Sequence, residues 1–328
     1  MSFTMLPLEL IDVVCANLAP TDLARLSYIC SSAHQAAQRQ LYRHVSISSS
    51  RRNLGVVLTI ARKPQIAHYV RSFSMEIDSY FTLLRPFYRQ VSRALASMTE
   101  LTSLRLFVDP TASWVLKNIS LPRLVHFACP FNLDSHVSNF LKHTHALLEL
   151  EVDSTPCGLR RPASALAPSS VTQLQHFVGS SLAAEVTIPS RPVQSVQLTA
   201  GDLTEEVATR LSESTADIAI LSATTSSAPA TLLQLLSQKM HCLVHVQLLT
   251  TYSFPEAPDV TFYERIAGAL NAFPDLQTFE LSGMHWGSKE LKDSDRHRIW
   301  QSQPLKSELN SSPEYLEIDP YSDLFFAY

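Results

Sequence analysis

Glycine is scarce in this chain, seven in 328 residues, against an ordinary share of ~7%. No Gly-x-Gly-x-x-Gly or Walker-type loop occurs in the sequence, so no backbone cradle for a phosphate is expected and nucleotide chemistry is disfavoured. The Gly-x-Ser-x-Gly elbow of serine hydrolases is missing as well. Cysteine supplies no framework: Cys15, Cys30, Cys129, Cys157 and Cys242 are scattered, odd in number and without a Cys-x-x-Cys pair, which fits reduced thiols better than disulfides or a zinc site. Long runs of one charge sign are also lacking. The 26 basic and 30 acidic residues sum to -4, without the basic footprint that nucleic-acid binding requires. No apolar run approaches the ~18 residues of a membrane span, and Glu9 and Asp12 stand where a signal peptide would carry positive charge. These absences lead to the expectation of a cytoplasmic or nuclear protein that contacts neither membrane nor nucleic acid.

What is present begins with three short amphipathic segments. Pro7 suits a first helical turn, and Leu10, Ile11, Val14 and Leu18 then recur at helical steps to make one apolar face. Pro20-Thr21-Asp22 ends that helix and opens a second, with Thr21 or Asp22 as its cap and Leu23, Leu26 and Ile29 as its face. Ser31-Ser32 is a further capping signal, predicting a third helix from about Ala33 to Leu41 with Ala36, Ala37 and Leu41 inward. Val45 and Ile47 then adopt the two-residue alternation of a strand. A unit this small buries little by itself, so its apolar faces dock on the rest of the chain or on a partner.

Leu6-Pro7-Leu8-Glu9-Leu10-Ile11, then Leu18, Asp22-Leu23-Ala24-Arg25-Leu26-Ser27 and Ile29-Cys30-Ser31 resemble the F-box motif in order and spacing. Leu41-Tyr42-Arg43-His44-Val45 and the segment Pro64 to Phe73 are similar to the sequence just downstream of the F-box in many fungal members. The resemblance covers about the first quarter of the chain. In one departure, Ala33 and His34 occupy positions where the family often has a bulky aromatic or basic residue. The resemblance implies a non-catalytic, cofactor-free substrate adaptor of a Skp-cullin-F-box ubiquitin ligase, which docks on the Skp adaptor, and through it on a cullin-RING ligase, by Leu6, Pro7, Leu8, Ile11, Leu18, Leu23, Leu26 and Ile29.

Beyond residue 65 a spacing of apolar, two residues, apolar, one residue, apolar recurs: Val70/Phe73/Met75, Leu101/Leu104/Leu106, Leu124/Phe127/Cys129, Leu147/Leu150/Val152, Val193/Val196/Leu198, Leu243/Val246/Leu248 and Leu276/Phe279/Leu281, with a partial copy at Leu174/Phe177. First positions at 70, 101, 124, 147, 174 and 193 are separated by 31, 23, 23, 27 and 19 residues, near the ~20 to 29 of leucine-rich repeats. The 50 residues from 193 to 243 leave room for another strand at Ile218-Ala219-Ile220-Leu221, and a last one is expected at Leu316-Glu317-Ile318. Helical stripes fill the gaps: Leu84, Phe87, Val91, Leu95 and Met98, then Asp134 to Leu141, Thr204 to Leu211, Pro229 to Met240 and Val260 to Leu270. The pattern resembles the leucine-rich repeat family in a divergent form, its usual Asn or Cys mostly absent. The expected fold is therefore α/β: a three-helix F-box over 1–45, a connecting strand and helix over 46–65, and a leucine-rich-repeat-like substrate-recognition solenoid with a curved parallel sheet over 66–328.

Ser154 to Ser170 and Ser222 to Ala230 read as long loops. His143/His145 and His241/His245 are the histidine pairs of suggestive spacing, and both read as structural rather than metal-binding. Asp109, Asp153 and Glu280 near strand ends read as turn residues. Trp286, Trp300 and Leu324-Phe325-Phe326-Ala327-Tyr328 are expected to close the last repeat, which would otherwise leave an apolar face uncovered. The substrate protein and its contact residues are not readable from these patterns. Two other function classes fit the same chain: a repeat scaffold outside any ligase, and an α/β enzyme with an unfamiliar site.

Overall fold

A computed structural model of the chain describes residues 7–29, 31–48, 53–78, 83–152, 166–167, 169–254, 259–290 and 298–304. The first elements are α1 (Leu8–Ala16), α2 (Pro20–Leu26) and α3 (Ser31–Leu41). Ile11 and Cys15 of α1, Leu23 of α2 and Ala36 and Ala37 of α3 form a small core of their own, with Leu18, Leu26 and Leu41 packed at its margin. Alanines on α3 let the helices approach closely. The Arg39 guanidinium joins α3 to α1 by donating to both carboxylate oxygens of Asp12 at 2.9 Å.

The helix starts differ from their expected positions. Pro20, with φ already suited to a helix, takes the first position of α2, so Ala19 becomes the cap and Thr21 and Asp22 lie inside. Asp22 instead pairs with Arg25 at 3.4 Å. The single apolar face expected for α1 is divided between inside and outside. Leu10 and Val14 are largely exposed and Cys15 is buried, because the face runs Ile11, Cys15, Leu18 at steps of four and three.

Twelve strands come next: β1 (His44–Ser48), β2 (Ser72–Glu76), β3 (Ser103–Phe107), β4 (His126–Ala128), β5 (Glu149–Val152), β6 (His176–Ser180), β7 (Ser195–Ala200), β8 (Ile220–Thr225), β9 (His245–Thr250), β10 (Thr278–Leu281), β11 (Met284–Glu290) and β12 (Arg298–Pro304). They form one sheet in chain order, parallel through β10 and antiparallel for the last two. Between them lie α4 (Gly55–Arg62), α5 (Pro64–Ala67), α6 (Arg85–Ser97), a 3-10 helix (Pro110–Leu116), α7 (Ser135–Leu141), α8 (Ser181–Thr187), α9 (Glu205–Leu211), α10 (Pro229–Lys239) and α11 (Val260–Leu270). The chain is thus mixed α/β with a mostly parallel twelve-stranded sheet.

The spacing found in the sequence has a structural cause. Its middle positions stand in register from strand to strand, Val45, Phe73, Leu104, Phe127, Leu150, Phe177, Val196, Leu221, Val246 and Phe279, and all are buried in one continuous core with the helices. The peptide just before each strand repeats one contact. A single carbonyl accepts two successive N–H groups from the next unit, at Arg43, Arg71, Thr102, Val125, Leu148, Gln175, Gln194, Ala219 and Val244 in turn. The partial copy is explained by Gly179 in the third position, where a Cβ would lie 2.2 Å from the Val152 carbonyl. The register shifts there, and Ser180 caps α8 at once through a bond from the Ala183 N–H.

Several expectations are corrected. The stripe on α6 begins at the exposed Leu84, outside the helix, and Tyr88 is buried in its place. The long loop over Ser222 to Ala230 does not exist: β8 runs to Thr225 and α10 begins at Pro229. Small polar residues suit this strand because Ser222 and Thr224 alternate outward, while buried Thr225 donates to the Leu203 carbonyl. Glu280 lies within β10 rather than in a turn, whereas Asp109 caps the 3-10 helix. Trp286 and Trp300 are buried on the terminal antiparallel strands, against the last parallel unit. Asp153, most of Ser154 to Ser170, Leu316 to Ile318 and Leu324 to Tyr328 lie outside the described residues.

Candidate functional site

Two surfaces stand out, and they differ in chemistry. The first is apolar and belongs to α1, α2 and the turn after α2. Leu10 is 51% exposed, Val13 60%, Val14 41%, Tyr28 90% and Ile29 71%. A scatter of single exposed apolar groups needs no explanation, but five on one 34-residue unit (positions 8 to 41) do. They are exposed because α2 stops at Leu26, so Tyr28 and Ile29 fall in a turn, and because α1 carries more apolar residues than its one inward face can take.

The anticipated adaptor residues divide between inside and outside. Ile11 and Leu23 are buried in the small core, Leu18 and Leu26 are half-buried against it, and Pro7 and Ile29 are exposed. Leu6 lies outside the described residues and Leu8 opens α1. Of the exposed patch only Ile29 is among the anticipated contacts; Leu10 and Val14 are on the expected apolar face of α1 but not among those contacts, and Val13 and Tyr28 are in neither set. Of the two departures from the family pattern, Ala33 is buried and His34 is exposed, its Nδ1 bonded to the Ser27 carbonyl at 2.8 Å.

The second surface is the face of the sheet that the helices leave open. Strand alternation puts polar residues there, in two rungs that cross the strands. One runs Ser72, Ser103, His126, Glu149, His176, Ser195, Ile220, His245 and Thr278. The other runs Ser74, Arg105, Ala128, Glu151, Val178, Gln197, Ser222, Gln247 and Glu280. Parallel sheets are ordinarily covered on both faces, so a polar, half-exposed second face is a surface available for contact.

Neighbouring side chains on these rungs hold one another. The His126 Nδ1 lies 2.6 Å from Glu149. That hydrogen bond, with His126 and His176 charge nearby, holds the Glu149 carboxyl below the usual carboxylate range although partial burial acts the other way. Ser222 donates to the Gln247 side-chain oxygen at 3.0 Å, and the Gln247 amide donates to Glu280 at 3.2 Å. Ser222, Gln247, Leu249 and Glu280 line an open depression of about 240 Å³. It holds a single carboxylate and is not enclosed.

Two of the histidine candidates, His143 and His245, have local partners. His143 bonds the Asn139 carbonyl at 3.0 Å and His245 bonds the Thr278 hydroxyl at 2.6 Å. Among the described residues, no three His, Cys, Asp or Glu side chains are placed to hold a metal ion, and Cys15, Cys129 and Cys242 form no disulfide. No helix among them is long and apolar enough to cross a membrane. No family model matches the chain, and no curated protein matches it.

Proposed function

We propose that the chain is the substrate-recognition subunit of a Skp-cullin-F-box ubiquitin ligase. The observation that carries this reading is the apolar patch of Leu10, Val13, Val14, Tyr28 and Ile29 on a three-helix unit whose own core closes without them. Coupled with the F-box-like order of residues 6 to 31, that patch is the docking site for the Skp adaptor. The ladder of strands is a divergent leucine-rich-repeat-like solenoid, and its open polar face holds the protein to be modified. The chain contributes no reacting group. It raises the effective concentration of target lysines beside the bound conjugating enzyme, in the cytosol or nucleus where such ligases work.

The test is co-purification of the Skp adaptor with the full chain and with the double variant Val13→Asp/Ile29→Asp. Both positions are largely exposed, so the variant should keep its circular dichroism and lose the adaptor. Equal recovery with both proteins would overturn the assignment. Leu23→Asp is unsuitable here, because Leu23 is 4% exposed and its loss would break the small core.

A further inference from the structure

On strands β4 to β10 the open face carries Glu149, Glu151 and Glu280, the imidazoles of His126, His176 and His245, and otherwise uncharged side chains. Seven strands therefore present three carboxylates and not one lysine or arginine. The chain as a whole is nearly balanced, 26 basic against 30 acidic residues, so this face departs from the average of its own molecule. The next cation along the second rung is Arg105 on β3, its guanidinium 5.6 Å from the Phe107 ring centroid.

The negative charge sits at two points rather than evenly. Glu149 and Glu151 are on β5 and Glu280 is on β10. Five strand steps of ~4.8 Å put about 24 Å between them along the sheet, the length of roughly seven extended residues at ~3.4 Å each. Between the two points lie, besides His176 and His245, groups suited to a backbone: the amide of Gln197, the hydroxyl of Ser222, the amide of Gln247 and the 56% exposed Leu249. Glu149 accepts a hydrogen bond from His126, which holds its carboxyl below the usual carboxylate range. Glu280 accepts one bond from Gln247, and a carboxylate has about four acceptor positions.

We infer that the open face between β5 and β10 binds an extended basic segment of a protein partner, with one cationic group at Glu149 on β5, another on Glu280, and about seven residues between them. This rests on the reading of the sheet face as the substrate surface and is independent of the adaptor contact. Hydrogen bonds from the peptide backbone to Gln197, Ser222 and Gln247 set its course across the strands, while Leu249 offers an apolar contact.

Fluorescence anisotropy on the full chain tests it with three labelled synthetic peptides of about eleven residues: Lys-Arg pairs at both ends, the same four cations placed together, and the bipartite peptide with Glu replacing each cation. The bipartite basic peptide should bind about fivefold tighter than the contiguous one, and the acidic peptide should not bind. Raising salt from about 50 to about 250 mM should weaken binding about tenfold, since the pairs are surface-exposed. Glu280→Gln and the double change Glu149→Gln/Glu151→Gln should each reduce affinity about fivefold, and Glu206→Gln on α9 should leave it unchanged.

Equal binding of the three peptides, tighter binding of the acidic one, or indifference to Glu280→Gln in a variant with unchanged circular dichroism would overturn the inference. Adaptor recovery on the same preparation separates the two claims. Peptide binding without adaptor binding keeps this inference and removes the ligase reading. Adaptor binding with no basic-peptide binding does the reverse.

Discussion

Residues 8 to 41 and the strand ladder treat their apolar side chains in opposite ways. The helical unit closes a small core around Ile11, Cys15 and Leu23 and leaves Leu10, Val13, Val14, Tyr28 and Ile29 in water. The ladder buries an apolar residue at every middle strand position and turns serine, histidine, glutamate and glutamine outward. The difference is one of geometry. A three-helix unit has too little interior for its stripes, whereas each strand of a stacked sheet offers its neighbours a fresh apolar face and never runs short until the end. Exposure therefore means different things in the two regions: surplus apolar surface in the first, an open polar face in the second.

The comparison predicts how each region fails. Phe127 is in register with Leu104 and Leu150, is 2% exposed and packs edge-on against Phe140 at 5.0 Å. Phe127→Ala should cost about 3 to 5 kcal/mol, and denaturant unfolding should show the loss across the ladder as one transition, because each unit supports its neighbours. A loss under ~1 kcal/mol would show that the units do not share a core. Leu23→Asp puts a charge into the small core and should cost several kcal/mol there. Amide exchange should then accelerate over residues 8 to 41 while strands β2 to β10 keep their protection. Acceleration through β2 and β3 as well would mean that the two regions unfold together.

The ladder was more legible from sequence than the helical unit, for the same physical reason. Phe73, Leu104 and Leu150 announce themselves because a position buried in every unit has to be apolar in every unit, so the spacing repeats. Ile218/Leu221/Ala223 completes the same spacing, yet its polar alternates Ser222 and Thr224, together with the buried Thr225, read as a loop. What made them strand was pairing with β9, which local composition does not report. In α1 and α2 the difficulty is the surplus itself. Leu10, Ile11 and Val14 all satisfy helical spacing, and only contact with α3 selects Ile11 and Cys15. The two rungs of the open face were out of reach because His126, Glu149 and His176 are 23 and 27 residues apart in the chain and become neighbours only through strand register.

A smaller effect sharpens the picture of the ladder. Gly179 stands where neighbouring units carry Val152 and Leu198, and a Cβ there would lie 2.2 Å from the Val152 carbonyl and 3.0 Å from the Phe177 ring. Gly179→Ala should cost about 1 to 3 kcal/mol through forced backbone movement. A neutral or stabilising result, read by thermal unfolding, would show that β6 can relax into the regular spacing and that the early start of α8 does not depend on this glycine.

The smallest effect concerns the polar face and is readable through its pH dependence. Glu149, 28% exposed at its side chain, is held below the usual carboxylate range first by its hydrogen bond from His126. A carboxyl depressed by folding contributes stability that is fully present above its unfolded value of ~4.3 and is lost as pH falls through the folded value. With His126 45% exposed, the contribution should stay under ~1 kcal/mol, or about 1 to 3 °C in Tm for a chain of this size. Glu149→Gln should therefore melt slightly below the parent at pH ~6, with the gap closing as pH drops below ~4. A gap of unchanged size at low pH would mean that the side chain stabilises β5 by packing, and that the charge on this face is free to serve a partner rather than the fold.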